Sequence, residues 1–517
     1  MKQSLIPVLG AAGISAALPT ACQQQAHEQN TGKPNVIIIL ADDLGFGDIS
    51  CNGSQTISTP NVDRVATSGI RFTNVHATSS VSTPSRFGLL TGEYPWRHEG
   101  TGIAPGDAGM IIPAGTYTMA SMMQEAGYTT GAVGKWHLGL GETGKQDWNG
   151  YITPGLTDIG FDYSFIMAAT ADRVPCVYIE NQRVWNYDPE APISVSYVQN
   201  FPGEPTGRDN PELLKLHPSH GHDMSIVNGI SRIGYMKGGG KALWKDETIA
   251  DVITDKAVEF ITENRDKPFF LYFGTNDVHV PRAPHERFVG RSGMGARGDA
   301  ILQFDHSVGR ITEALEELGI ADNTVIIITS DNGPVVDDGY KDLAVELLGD
   351  HKPWHIYRGG KYSAFEAGTR IPFIIRWPAA HNAGKTSDAL ISLIDIYASL
   401  ADYCGITLPD ETAPDSRDYL DAFRGDAQTA REWVVEQNVN GTLSVISNGW
   451  KYITPNPQAP VFNYETSTEL GNAGIPQLYD LGNDIGERNN LAEEHPGKVE
   501  ELKVLLQEVV DRKHQGR

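Results

Sequence analysis

The sequence predicts an α/β protein with a large, mostly parallel central sheet flanked by helices and a smaller C-terminal α+β subdomain. Three observations carry that expectation. Uninterrupted apolar runs of strand length occur at 35–40, 268–274, 324–330 and 371–376, and strands buried on both faces are typical of parallel sheets covered by helices. Amphipathic stretches at 61–69, 118–126, 248–264 and 300–318 fall between them. In the last of these, Ile301, Phe304, Val308, Ile311 and Leu315 recur at helical spacing. After about residue 409 the pattern changes: 442–447, the pair Asn448-Gly449, and 450–453 read as a hairpin with a two-residue turn. Val499, Leu502, Leu505, Leu506 and Val509 then line one face of a final helix.

Taken from its start, the chain opens with Met1-Lys2 and a weakly apolar run over 5–18, too short and glycine-broken to span a membrane, which reads as an export signal over 1–22. Small residues before Cys22, followed by Gln23-Gln24-Gln25, are similar to a bacterial lipoprotein cleavage site, although Pro19 stands where such sites usually carry Leu. The expected location is therefore outside the cytoplasm, periplasmic or as an outer-membrane lipoprotein, with membrane contact only through such a lipid. A polar linker over 23–34 leads to the large domain, expected over 35–408, and the subdomain occupies 409–517. Residues 152–245, rich in Pro, Gly and Asn, read as a long irregular insertion that builds the wall of a binding site. A formal charge of −24 over 517 residues argues against a nucleic-acid binder and requires that any anionic substrate be drawn in by a local basic pocket. Cys51, Cys176 and Cys404 are too few and too widely spaced for a disulfide framework or a zinc site.

In an open parallel sheet, ligands bind beyond the carboxyl ends of the strands. Asp42-Asp43 follow the first apolar run and Asp331-Asn332 follow 324–330. Three carboxylates and an amide at one sheet edge would repel one another without a cation, and an all-oxygen set suits Ca²⁺ or Mg²⁺. Lys135 and His137 lie in Gly134-Lys135-Trp136-His137, His279 lies in Asp277-Val278-His279-Val280-Pro281, and Lys361 follows Gly359-Gly360. Ser82-Thr83-Pro84-Ser85-Arg86-Phe87-Gly88-Leu89-Leu90-Thr91-Gly92 reads as a helix entrance, with Ser82 or Thr83 as the cap and Gly92 as the stop. Unpaired amides at such an entrance favour anions, and Arg86 adds a fixed positive charge.

The order Ser-x-Pro-Ser-Arg-x-x-Leu-x-Thr-Gly resembles the signature of type I sulfatases of the alkaline phosphatase superfamily. The resemblance extends from Pro34 to Ala492, through the tail Leu478-Tyr479-Asp480-Leu481 to Asn490-Leu491-Ala492. It implies that Ser82 is oxidised to formylglycine by a dedicated maturase, and that Asp42, Asp43, Asp331 and Asn332 bind one Ca²⁺ together with the modified Ser82. It implies that Arg86 steadies the aldehyde hydrate, Lys135 and Lys361 hold sulfate oxygens, His279 protonates the leaving oxygen, and His137 later takes a proton from the hydrate. Position 82 is Ser, so either the source organism oxidises serine, as anaerobic maturases do in this family, or the chain is an inactive or Cys-replaced form. Ala171-Asp172-Arg173-Val174-Pro175 is similar to bacterial sulfatases acting on galacto-configured sugars, in which an Asp-Arg pair reads the axial O4. Asp172 and Arg173 are the candidates for that role, with His220 and His222 as weaker candidates on the same wall.

The expected substrate is the 6-O-sulfate of galactose or N-acetylgalactosamine in a host glycan. Alternatives are a 4-O- or 3-O-sulfatase on galacto sugars, an N-acetylglucosamine-6-sulfatase, a related phosphatase or phosphonate monoester hydrolase, and a catalytically silent glycan-binding homologue.

Overall fold

The computed structural model describes residues 1, 32–378, 383–462 and 467–512. The fold is that of the unit Lys33–Arg517. The expected export signal, Cys22 and nearly all of the linker lie outside the described residues. Among the described residues no helix is long and apolar enough to cross a membrane.

Asn35–Ala41, buried at every position, runs through the middle of a ten-stranded sheet. It pairs in parallel with Phe269–Gly274 on one side and Thr324–Ser330 on the other. Beyond Phe269–Gly274, Thr129–Lys135 and then Tyr163–Met167 continue the parallel arrangement. The apolar side chains of these five strands are enclosed on both faces. The margins are antiparallel: Phe373–Arg376 and Ile70–Phe72 on one side, Tyr178–Glu180 and Arg183–Val184 on the other. Lys385–Ser387 closes the first margin in parallel with Ile70–Phe72.

Two expectations are corrected here. The run over 371–376 is a strand of antiparallel sense, because a strand buried on both faces carries no mark of its direction. The insertion over 152–245 is also less irregular than its composition implied, since its first part adds three strands to the sheet.

Helices Pro60–Ser68, Met119–Glu125, Ile249–Glu263 and Gly295–Glu317 occupy the places their periodicity assigned. The last begins earlier than its apolar stripe. Arg297 in its first turn makes a two-pronged ion pair with buried Asp48, at 2.7 and 2.8 Å, and this tertiary contact extends the helix past what the stripe alone marks. Ile301, Phe304, Val308, Ile311 and Leu315 are fully buried.

The C-terminal part is a four-stranded antiparallel sheet in the order Trp433–Gln437, Leu443–Ser447, Trp450–Ile453, Gln477–Asp480. Asn448 and Gly449, with φ of 49° and 77°, form its two-residue turn. Helix Pro496–Asp511 buries Leu502, Leu506 and Val509 against Val445, Tyr452 and Leu478.

Register sets the site. Ala41 pairs with Ser330, Leu40 with Gly274, and Gly274 with Gly134, so Asp42, Asp331 and Lys135 leave the sheet along one edge.

Candidate active site

Helix Ser82–Thr91 stands at that edge with all ten residues buried. Its cap is Val81, one residue before the expected Ser82 or Thr83. The Ser82 hydroxyl is engaged elsewhere: it accepts from Lys135 Nζ at 3.1 Å and faces His137 Nδ1 at 3.1 Å. Thr83 is likewise engaged away from the helix end, donating to the His137 carbonyl at 3.1 Å. Gly92, at φ 67°, ends the helix as expected, its N–H bonded to the Gly88 carbonyl at 2.8 Å.

The four acidic and amide side chains converge beside Ser82. Lys135 Nζ lies 2.6 Å from Asp42 Oδ1 and 3.7 Å from Asp331 Oδ2. Asn332 Nδ2 donates to Asp43 Oδ1 at 2.8 Å, and the Asp43 N–H points at Asp331 Oδ1 at 3.3 Å. Asp43 adopts φ 60°, a left-handed conformation that Asp tolerates and that turns its carboxylate back into the cluster. Fully buried Arg86 braces the group, donating from Nε to Asp331 Oδ2 at 2.9 Å and from Nη1 to the Lys135 carbonyl at 3.1 Å and the Tyr272 hydroxyl at 3.0 Å.

These residues fit a hard cation. Asp42 Oδ2 and Asn332 Oδ1 are buried without a hydrogen-bond partner among the described residues, an expensive state for oxygens that nothing neutralises. Burial, reinforced by the charges of Asp331 and Asp43 and opposed by Lys135, pushes the Asp42 carboxyl well above the usual carboxylate range. Asp42 and Asp43 each offer an oxygen and His279 a nitrogen within 4.8 Å of one another, and Asp331 and Asn332 beside them add further oxygens.

Two imidazoles flank Ser82 and the acidic cluster. His137 Nε2 faces the Ala104 carbonyl at 3.0 Å, so Nε2 carries the proton and Nδ1 presents a lone pair to the Ser82 hydroxyl. Burial, then the charge of Lys135, holds His137 well below the ordinary histidine value. His279 donates from Nδ1 to the Val280 carbonyl at 2.7 Å and leaves Nε2 turned inward, 3.8 Å from Asp43 Oδ2. Burial and Lys361 hold it low as well.

A cavity of about 350 Å³ opens over Ser82, His137, His279 and Lys361, and Asp172 and Arg173 are on its wall. Asp172 is buried, 3.0 Å from Arg173 Nη1 and 2.9 Å from His222 Nε2, and also accepts from the Thr170 hydroxyl. Although burial opposes it, Arg173 keeps the Asp172 carboxyl well below its usual range, with His279 and His222 adding to the effect. His222 is oriented by the His220 carbonyl at 2.7 Å, and both histidines reach the cavity.

An arrangement of oxygen donors, lysines and two imidazoles around a hydroxyl is suited to moving an anionic group from an alkoxide to that hydroxyl. A family model for sulfatases matches residues 34–406. The chain belongs to the sulfatase family. Within the alkaline phosphatase superfamily it is similar to a Bacteroides thetaiotaomicron N-acetylgalactosamine-6-O-sulfatase, 56% identical over 511 residues that cover 98% of this chain and 99% of the relative. Rat steryl-sulfatase is 31% identical over 510 residues, covering 89% of this chain and 85% of its own. A B. thetaiotaomicron structure from work on glycosaminoglycan metabolism superposes with a TM-score of 0.91 at 56% identity, covering 93% of this chain and 100% of its own. The phosphonate monoester hydrolase of Agrobacterium radiobacter, at 19% identity and TM-score 0.59 over 94% and 96% of the two chains, shares the fold.

Sequence reading of this sulfatase missed Asp338 and Tyr362. Lys361 Nζ lies 2.8 Å from both Asp43 Oδ2 and Asp338 Oδ2, and the Tyr362 hydroxyl donates to Asp338 Oδ1 at 2.6 Å. Despite burial, Asp338 and Asp43 hold the Lys361 ammonium well above its ordinary value, so it stays charged. Tyr362 adjoins Lys361 and could have been read from it. Asp338 sits in a loop whose sequence carries no motif.

Proposed function

We propose that this sulfatase is exported and removes the 6-O-sulfate of galactose or N-acetylgalactosamine in host glycans such as mucin or chondroitin. The observation that carries the reading is the ion pair of buried Asp172 with half-buried Arg173, on the wall of the cavity that also holds Ser82. A carboxylate beside a guanidinium accepts from and donates to one hydroxyl. An O4 that must be free to meet that pair cannot carry the sulfate, which favours the 6-position. The printed specificity of the 56% identical relative agrees.

In the reaction, Lys135 and Lys361 bind non-bridging sulfate oxygens and offset charge that shifts toward the bridging oxygen. His279, whose Nδ1 is tied to a carbonyl, holds a proton at Nε2 for the departing sugar alkoxide. His137 Nδ1 accepts the proton of the hydroxyl at position 82. Arg86 steadies that position through its bond to Asp331. Asp42, Asp43, Asp331 and Asn332, with residue 82, would hold Ca²⁺, which supplies Lewis-acid stabilisation of anionic oxygen. Formylglycine at position 82, made by a serine-oxidising maturase, supplies when hydrated a second hydroxyl that serine lacks, so that sulfate leaves without water attacking sulfur. Lipid attachment at Cys22 is the remaining element of the reading.

Sulfate release from 6-sulfated and 4-sulfated N-acetylgalactosamine, by enzyme produced with such a maturase, tests the assignment. Release from the 6-isomer alone is expected; faster release from the 4-isomer overturns it.

A further inference from the structure

The reaction as described leaves unused a closed group of charges between the C-terminal sheet and the active-site segments. Lys451, on Trp450–Ile453, is fully buried. Its Nζ lies 3.0 Å from Glu366 Oε1, 3.2 Å from Glu436 Oε2 and 3.6 Å from Glu487 Oε1. Glu436, on Trp433–Gln437, accepts from His76 Nδ1 at 2.6 Å, the Thr369 hydroxyl at 2.6 Å and the Ser444 hydroxyl at 3.0 Å. Glu366 pairs with Arg370 at 2.8 Å and presents its N–H to Glu487 Oε2 at 2.7 Å. His76, Glu366 and Glu436 could together ligate a metal, but the Lys451 ammonium already touches both glutamates.

The sequence positions of these partners give the cluster a bearing on catalysis. His76 begins the segment that ends in Ser82, and Glu366 ends the segment that begins with Lys361. Backbone bonds run the same way. The Ser80 N–H bonds to the Gln437 carbonyl at 3.0 Å and the Gln437 N–H to the Thr78 carbonyl at 3.1 Å. The Tyr362 N–H bonds to the Ser80 carbonyl at 2.9 Å, and the Val439 N–H to the Tyr362 carbonyl at 3.2 Å. One strand of the C-terminal sheet and the residues just after it thus grip both segments, and Glu436 on that strand is bonded to the histidine of one and to Thr369, three residues beyond the other.

We propose that Glu436 and Lys451 are positioning residues for sulfate transfer, holding the Ser82 segment and the Lys361 segment at a fixed separation. The inference rests on the reading of Lys361 as a sulfate ligand. Sulfuryl transfer needs the acceptor at position 82 and the Lys361 ammonium on the same sulfate at once, and a displacement of about 1 Å of a positioning group costs on the order of 10² in rate. The buried bonds that Glu436 makes to Lys451, His76, Thr369 and Ser444 suit such a strut because they leave few alternative arrangements of similar energy.

The test compares wild type, Glu436→Gln, Lys361→Ala and the double variant on 6-sulfated N-acetylgalactosamine, with melting temperatures. Glu436→Gln keeps the shape while weakening the grip. The expected result is a fall in kcat of about tenfold or more with KM changed by less than about twofold, and a double variant no slower than Lys361→Ala alone. Unchanged kcat per folded molecule, or losses that multiply in the double variant, overturn the positioning role. Should Glu436→Gln fold poorly, Ser444→Ala removes a single bond to Glu436 and is expected to show a smaller fall with the same non-additivity; no fall, or multiplying losses, overturns the role there too. Undiminished activity in Lys361→Ala alone would remove the reading of the site itself, whereas multiplying losses remove only the cluster's part in it.

Discussion

His279 is held neutral in the resting site by burial and by Lys361, yet protonating a sugar alkoxide requires a proton on Nε2. In the proposed reaction an arriving sulfate would oppose the effect of Lys361, so that the imidazole gains its proton in the complex. His279→Ala is expected to slow sugar sulfates by roughly 10²–10⁴-fold and activated aryl sulfates far less, because their leaving groups need little protonation. Equal slowing of both would make His279 a sulfate-positioning group. Asp331→Asn keeps the shape beside Arg86 while removing a carboxylate from the cation cluster. The expected result is loss of both turnover and calcium content, read by elemental analysis, with a stability cost of up to about 3–5 kcal/mol from breaking the buried Arg86–Asp331 ion pair. Retained turnover would take the metal out of the mechanism. Ser82, Lys135, His137, His279 and Lys361 were legible because each lies in a short motif, most of them at the end of an apolar run. Asp338 was not, because only the folded chain brings it to Lys361.

Among the elements, the parallel core of the sheet was readable from its apolar runs, and the final hairpin from Asn448-Gly449. The sense of Phe373–Arg376 and the three strands inside the insertion were not, since strand direction and edge pairing come from the tertiary partner and not from periodicity. The helix at Ser82 began one residue early for a related reason: its polar residues serve the site instead of capping the helix. A sharper test of register lies at Gly134, opposite Gly274 and next to Lys135. Its φ is 96°, and a Cβ there would stand 1.9 Å from the Gly274 carbonyl oxygen. Gly134→Ala is expected to cost roughly 1–3 kcal/mol or more in urea unfolding, together with turnover, because the strands carrying Lys135 and leading to His279 must part. Unchanged stability would show that the two strands are not so closely paired.

Across the whole molecule, the C-terminal sheet is tied to the catalytic part through buried charge, and this has a pH signature. Burial, with Glu366 and Glu436 adding and Lys451 opposing, raises Glu487 to about 8, against about 4.3 in an unfolded chain. Between those values the folded state keeps a proton that the unfolded state has lost. The stability associated with Glu487 is therefore fully present below the unfolded value and lost as pH rises toward 8. Glu487→Gln is expected to melt at a temperature that falls less than wild type between about pH 6 and about pH 8; parallel curves would contradict this. The protein's acidic balance makes the reading of the substrate a local matter, settled in the cavity and not by long-range attraction. The most direct measurement is the ratio of kcat/KM for 6-sulfated N-acetylgalactosamine to that for its gluco epimer, made on enzyme carrying formylglycine at position 82. An Asp172–Arg173 pair that must satisfy an axial O4 predicts a ratio on the order of 10⁴, collapsing in Asp172→Ala, while equal rates on the two sugars in the wild type would contradict the assignment.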